Sequence, residues 1–249
     1  MGAFVRIPAD VVHLADARRA TERSVRLLSF QVATTTVTAD DFAAGRFLAA
    51  GAIGGAPASG VSWCEAVSWC NRASEHDGLE PAYVLAGETV HWNPASDGYR
   101  LPTEAEWVLA SKGGVDGPRY GALCDIGWTA ADGVLAPQPV AQKRANAYGV
   151  FDVLGNVWEW CWDRLDPARY GDYRVFKGGG WADPEWSCRV GVRRGNAPDA
   201  VVDDVGFRVV RGVVAAESGV DGGQGWSESA DRARASLSGP LPVGWTPLP

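Results

Sequence analysis

Residues 146–163 read NAYGVFDVLGNVWEWCWD. The stretch holds the tryptophans Trp158, Trp160 and Trp162, the acids Asp152 and Glu159, and the pair Gly155-Asn156. Gly and Asn both tolerate positive φ, so the pair marks a bend. After it, Trp158-Glu159-Trp160 has the period of a strand that buries one face. A bend feeding a short aromatic strand brings Asp152, Glu159 and nearby backbone carbonyls toward one point, which suits a hard, oxygen-seeking cation. The same residues also make a plain core strand with solvated acids, and spacing alone leaves both readings open.

The 249 residues suffice for one large domain or two small ones, and 46% hydrophobic with 21% charged residues is ordinary for a globular core. Twelve tryptophans and 31 glycines predict a loop-rich fold packed with aromatic plates and tight turns. A formal charge of −7 argues against a nucleic-acid or anionic-membrane partner. No run reaches the ~20 apolar residues of a membrane span. The first twenty residues lack the apolar core and cleavage site of a signal peptide, and Arg6 stands where a myristoylation signal needs Ser or Thr. Five scattered cysteines without a CxxC predict reduced thiols in a cytoplasmic protein.

Elsewhere the chain alternates clear signals with irregular stretches. Residues 3–8 read as an opening strand, 9–26 as surface loop or a short helix, and 27–37 as a β-branched strand. Thr38 should cap a helix running to about Ala50. Ser62 and Glu65 form a capping box for a helix over 62–77, and Thr103 and Glu106 form a second one after GYRLP. Residues 82–92 predict a hairpin with His91 facing solvent. Glu104 and Glu106 read either as catalytic carboxylates or, preferably, as helix-start acids that satisfy backbone donors. His13, His76 and His91 share no spacing that would support a histidine iron site. RVFKGGGW (174–181) is a strand entering a glycine turn, 182–204 is polar and irregular, and VGFRVVR (205–211) closes the fold. From about Gly212 the composition reads as an extended tail, with a short helix near 227–237.

Four segments in this order, GYRLPTEAEW (98–107), NAYGVFDVLGNVWEW (146–160), RVFKGGGW and VGFRVVR, resemble the formylglycine-generating enzyme, or sulfatase-modifying-factor, family. The resemblance covers residues 4–212. It implies a single α+β domain of C-type-lectin-like kind over 1–212, with two main helices, small twisted antiparallel sheets and much irregular chain, and a C-terminal extension over 213–249. It also implies a structural calcium held by the side chains of Asp152 and Glu159 and the carbonyls of Gly155 and Val157. Family enzymes bind copper through two cysteines just after the glycine turn, and copper(I) requires such soft ligands. Here the segment Trp181–Cys188 holds one, so copper is not supported, nor is iron.

Two functions follow from the resemblance. The first is a binding module that meets a peptide, protein or small-molecule ligand on 181–204 through Trp181, Trp186, Arg189, Arg193, Arg194 and Asn196. Variable proteins of diversity-generating retroelements resemble this branch and use the same segment. Aromatic and guanidinium groups are enriched at binding hot spots, although these arginines could instead pair with Asp199, Asp203 and Asp204. The alternative is a metal- and oxygen-dependent oxidoreductase similar to the sulfatase-modifying-factor and pyoverdine-maturation enzymes, with Asp183 or Glu185 as proton acceptor for a peptide or amino-acid-derived substrate.

Overall fold

The computed structural model describes residues 4–16, 21–48, 55–87, 89–212, 214 and 223–227. The chain opens with β1 (Phe4–Ile7), β2 (Asp10–Asp16), β3 (Thr21–Leu27) and β4 (Phe30–Ala33), then helices α1 (Ala39–Ala44) and α2 (Trp63–His76). A hairpin of β5 (Tyr83–Ala86) and β6 (Thr89–Trp92) precedes α3 (Glu104–Lys112) and the single turn α4 (Leu123–Ile126). The last part holds β7 (Trp158–Arg164), α5 (Pro167–Tyr170), β8 (Arg174–Lys177), β9 (Arg193–Asn196), β10 (Val205–Phe207) and β11 (Val210–Arg211). None of the described helices is long and apolar enough to cross a membrane.

The two main helices start where their capping boxes place them. Ser62 Oγ accepts from the Glu65 amide at 3.2 Å, and the Glu65 carboxylate accepts from the Ser62 amide at 2.9 Å. Thr103 and Glu106 repeat the pattern at 3.2 and 2.9 Å, and Gly113 ends α3 in the left-handed region at φ 59°. Each reciprocal cap satisfies donors that the first helical turn leaves orphaned, worth about 1 kcal/mol. Thr38 caps α1 as expected, but Gly45 at φ 66° stops that helix at Ala44, well short of residue 50.

Residues 9–26 are neither loop nor helix. They form the antiparallel pair β2–β3, in register from Asp10↔Leu27 to Asp16↔Thr21. Val12, Val25 and Leu27 turn inward at 2%, 1% and 0% exposure. Alternation was present in the sequence, masked by the Ala and Arg residues between 15 and 23, which favour helices in isolation. The expected hairpin over 82–92 is β5–β6, with His91 exposed. The expected helix near 227–237 lies, beyond Ser227, outside the described residues.

β7 was expected to bury one face, and instead it buries both. In the sheet β10-β7-β8-β9 it pairs antiparallel with β8 and parallel with β10, so the sheets are not purely antiparallel. Trp158, Trp160 and Trp162 enter one apolar core with α2, while Cys161 enters a second core with α3. The strand is therefore a septum, and Glu159 lies within it at 0% exposure. Its charge is met by Arg208, which donates Nη2 to Oε1 at 2.7 Å and Nε to Oε2 at 3.0 Å. The Trp107 indole N–H adds a bond to Oε2 at 2.8 Å.

Chain beyond residue 212 reaches this core too. Gln224 exchanges bonds with the backbone of Leu28 at 2.7 and 3.2 Å and donates to Glu106 at 2.9 Å. Trp226 packs its ring 5.3 Å from that of Trp162. Removing one partner of a buried ion pair leaves the other charge uncompensated, so Arg208→Ala should cost roughly 3–5 kcal/mol. Urea unfolding checks this, and a loss below about 1 kcal/mol would show that the pair is not needed.

Candidate functional site

β8 runs into Gly178, Gly179 and Gly180, and the first two take φ of 104° and 86°. A Cβ at Gly179 would stand 2.5 Å from Cys188 Sγ, so the glycine turn is what lets 181–188 fold back against it. Asp183, buried there, accepts from the Gly180 amide at 2.9 Å and from the Trp158 indole at 2.6 Å. Arg119 clamps the same loop, donating to Glu185 Oε1 at 2.6 Å and to the Cys188 carbonyl at 2.9 Å. Cys188 is fully buried, and burial, helped by the nearby Asp183 charge, pushes its thiol up to about 12. A thiol so placed is not a ready thiolate.

β9 sends its two arginines to opposite faces of the sheet. Arg193 lies opposite Lys177 in the register, and Arg194 opposite Phe176. On the first face, Glu104 Oε2 accepts from Arg193 at 2.9 Å and Oε1 from Lys177 at 3.3 Å. The expectation that Glu104 serves backbone donors is therefore wrong; only Glu106 does so. Burial would raise the Glu104 carboxyl, but Arg193 and Lys177 outweigh it and hold the group at about 2. On the second face, the Arg194 guanidinium lies 4.8 Å from the Trp158 ring centre and 5.8 Å from that of Trp186. It sits 3.4 Å from Asp183 Oδ1 and donates to Ser187 Oγ at 3.1 Å. Asp183 and Glu104 thus take Arg194 and Arg193 respectively.

A groove of about 520 Å³ opens beside β9, lined by Arg193, Arg194, Leu165, Tyr170, Tyr173 and Phe176 among others. The Tyr170 and Tyr173 rings stack at 5.6 Å and 17°. Of the residues expected to meet a ligand, Arg193 and Arg194 line this groove. Trp186, 56% exposed, stands near the Arg194 guanidinium, and Arg189 is exposed on the same segment. Trp181 and Asn196 are not among the lining residues: the Trp181 amide donates to the Asn156 carbonyl at 2.8 Å, and Asn196 Oδ1 accepts from the Ala197 amide at 2.9 Å. The wall from 165 to 173 was not anticipated, although two tyrosines three residues apart were a signal for it.

At the opening stretch, Asp152, Gly155 and Asn156 take φ of 54°, 80° and 62°, and the chain bends as expected. Asp152 is 2% exposed, its Oδ2 accepts from the Ala141 amide at 2.7 Å, and Oδ1 is buried without a hydrogen-bond partner. Burial raises its carboxyl to about 6. Among the described residues no three His, Cys, Asp or Glu side chains converge as a metal site. Any cation here would lean on backbone carbonyls.

Residues 2–213 match the family described as the sulfatase-modifying factor enzyme 1-like domain. The chain is 36% identical to the formylglycine-generating enzyme of Streptomyces coelicolor, the match covering 48% of this chain and 50% of that protein. It is 35% identical to inactive C-alpha-formylglycine-generating enzyme 2 of Mus musculus, over 55% of this chain and 52% of that one. It thus spans about half the length of these curated relatives. Among solved structures, Treponema denticola variable protein 1 matches with a TM-score of 0.74 at 28% identity, over 84% of this chain and 94% of that chain. The C-type-lectin-like α+β fold implied by the resemblance is the fold found.

Because the folded state holds Glu104 at about 2, against 4.5 ordinarily, its ionised form contributes stability that is complete above pH 4.5 and lost as pH falls toward 2. The contribution is on the order of 3 kcal/mol. Denaturant titrations between pH 6 and 2.5 should show a steeper acid loss for the native chain than for Glu104→Gln; parallel profiles would remove Glu104 as a source.

Proposed function

The chain belongs to the sulfatase-modifying factor enzyme 1-like family, and from that premise we propose that it is a ligand-binding module rather than a formylglycine synthase. Its binding surface is the groove along β9 within 181–204. The observation that carries this reading is the groove itself, whose lining Arg193 and Arg194 share with Tyr170 and Tyr173. Both residue types are hot-spot formers, and both are held in place before any ligand arrives. Likeness to the Treponema denticola variable protein and to the inactive mouse relative supports it. The segment after the glycine turn offers one sulfur, Cys188, closed over by Gly179, whereas copper(I) chemistry needs a pair of accessible soft ligands. All five cysteines are free, which suits a reducing, cytoplasmic setting.

Titration with a panel of peptides and carbohydrates, followed by calorimetry, tests the reading. A ligand found this way should bind Arg194→Ala at least tenfold more weakly; equal affinities would place binding elsewhere. Oxygen uptake with a cysteine- or tyrosine-bearing peptide in the presence of added copper would replace this reading with the oxidoreductase one.

The same proposal includes a structural calcium held by Asp152, the Gly155 and Val157 carbonyls, and Glu159. The orphaned Asp152 Oδ1 fits it, because a buried carboxylate oxygen without a donor is costly unless a cation meets it. Glu159 fits with less to spare. Arg208 and Trp107 fill three of the roughly four acceptor positions of a carboxylate, leaving one on Oε1. Such an ion would fix the bend and supply no redox chemistry. Calcium at about a hundred times its Kd should stabilise the native chain by about 2.7 kcal/mol over chelator, and Asp152→Ala should abolish the difference. Identical melting of the native chain in calcium and in chelator would refute the site.

A further inference from the structure

The nature of the ligand follows from where the groove lies, an inference that rests on the binding reading above. β9 is the terminal strand of its sheet, and among the described residues no further strand pairs with its outer side. An edge strand presents main-chain donors and acceptors to whatever approaches. Three consecutive residues of β9, Arg193, Arg194 and Gly195, line the groove, and Gly191 and Val192 just before the strand continue its lining. Successive strand residues point to opposite faces, so a cavity touching all of them runs along the backbone edge and not over one face. Gly191 leaves that approach open, with nothing within 4 Å of where a Cβ would stand.

Charge narrows the occupant. On a chain of net charge −7, Arg189, Arg193 and Arg194 fall within six residues. Arg189 is exposed, and the Arg194 side chain keeps 42% of its surface open while Asp183 and the Trp158 ring orient it. The rest of the lining is mostly apolar, with Leu165, Tyr170, Tyr173 and Phe176, and its one acid, Asp166, lies 3.8 Å from Arg169. We propose that β9 receives an extended acidic peptide as an added strand. Its main chain pairs with the β9 edge, its carboxylates meet Arg194, and an apolar side chain lies against the tyrosine wall. At a rise of about 3.3 Å per residue, a four-residue strand recognises a core on the order of four residues.

The test uses the full chain and a fluorescein-labelled, capped hexapeptide alternating glutamate and leucine, read by anisotropy. Two further peptides carry N-methyl groups on all glutamate nitrogens or on all leucine nitrogens. One set of nitrogens faces β9 and the other faces away, so one methylated peptide should bind at least tenfold more weakly and the other within about twofold of the parent. Arg194→Glu, checked by circular dichroism for an intact fold, should lose at least tenfold, and Arg72→Glu on the distant helix α2 should lose nothing. If both methylated peptides bind like the parent while Arg194→Glu still loses, strand addition is overturned and the groove remains a binding site. If the parent binds no better than a lysine–leucine hexapeptide, the acidic peptide is overturned, and the panel titration judges the groove separately.

Discussion

A carboxylate near the start of β7, closed to water on every side, is the constraint that the rest of the structure answers to. Glu159 cannot be buried as an isolated charge, because desolvation alone would cost several kcal/mol. Arg208 meets it with two parallel bonds and gives two further donors to the Ala33 carbonyl at 2.9 Å and the Phe151 carbonyl at 2.7 Å. One guanidinium therefore fixes the end of β4, the bend before β7 and the closing segment. Parallel pairing of β10 with β7 brings Arg208 there. It places Gly206 beside Glu159, where a Cβ would lie 2.1 Å from the Ala58 carbonyl.

The same strand ties this buried pair to the binding loop. Side chains alternate across β7, so Trp158 points to the face opposite Glu159. Its indole N–H holds Asp183, and its ring supports the Arg194 guanidinium. Rigidity in the core thus reaches the groove through one residue step. A loop of irregular conformation is kept in one arrangement by bonds from Trp158, Arg119 and Gly180, and that lowers the ordering entropy a ligand would otherwise have to offset.

What was legible in the sequence is what local chemistry encodes. The caps at Ser62 and Thr103 could be read because donor and acceptor lie three residues apart, and the bend at Gly155-Asn156 because positive φ restricts residue choice. The full burial of Glu159 could not be read, since its partner lies 49 residues away. Glu104 was misread for a similar reason: its partners Lys177 and Arg193 are on β8 and β9. The groove escaped because one wall comes from 165–173 and the other from 191–195, and only the sheet brings them together. The β2–β3 pair shows the opposite failure, in which the local propensity of Ala and Arg residues concealed an alternation that tertiary burial made decisive.

The two edges of the main sheet are treated differently, and that difference bears on function. On the β10 side, backbone amides of Val37 and Val61 bond the carbonyls of Phe207 and Val205 at 3.0 and 3.3 Å, closing the edge with the protein's own chain. The β9 side carries Arg193 and Arg194. Charged edges also serve to keep sheets from pairing with one another, so the arginines alone would be consistent with simple protection. Protection, however, requires only charge. It gives no reason for a stacked pair of tyrosines and a cavity of about 520 Å³ alongside the same strand. Those features add apolar surface to an edge, which protection would avoid and recognition uses.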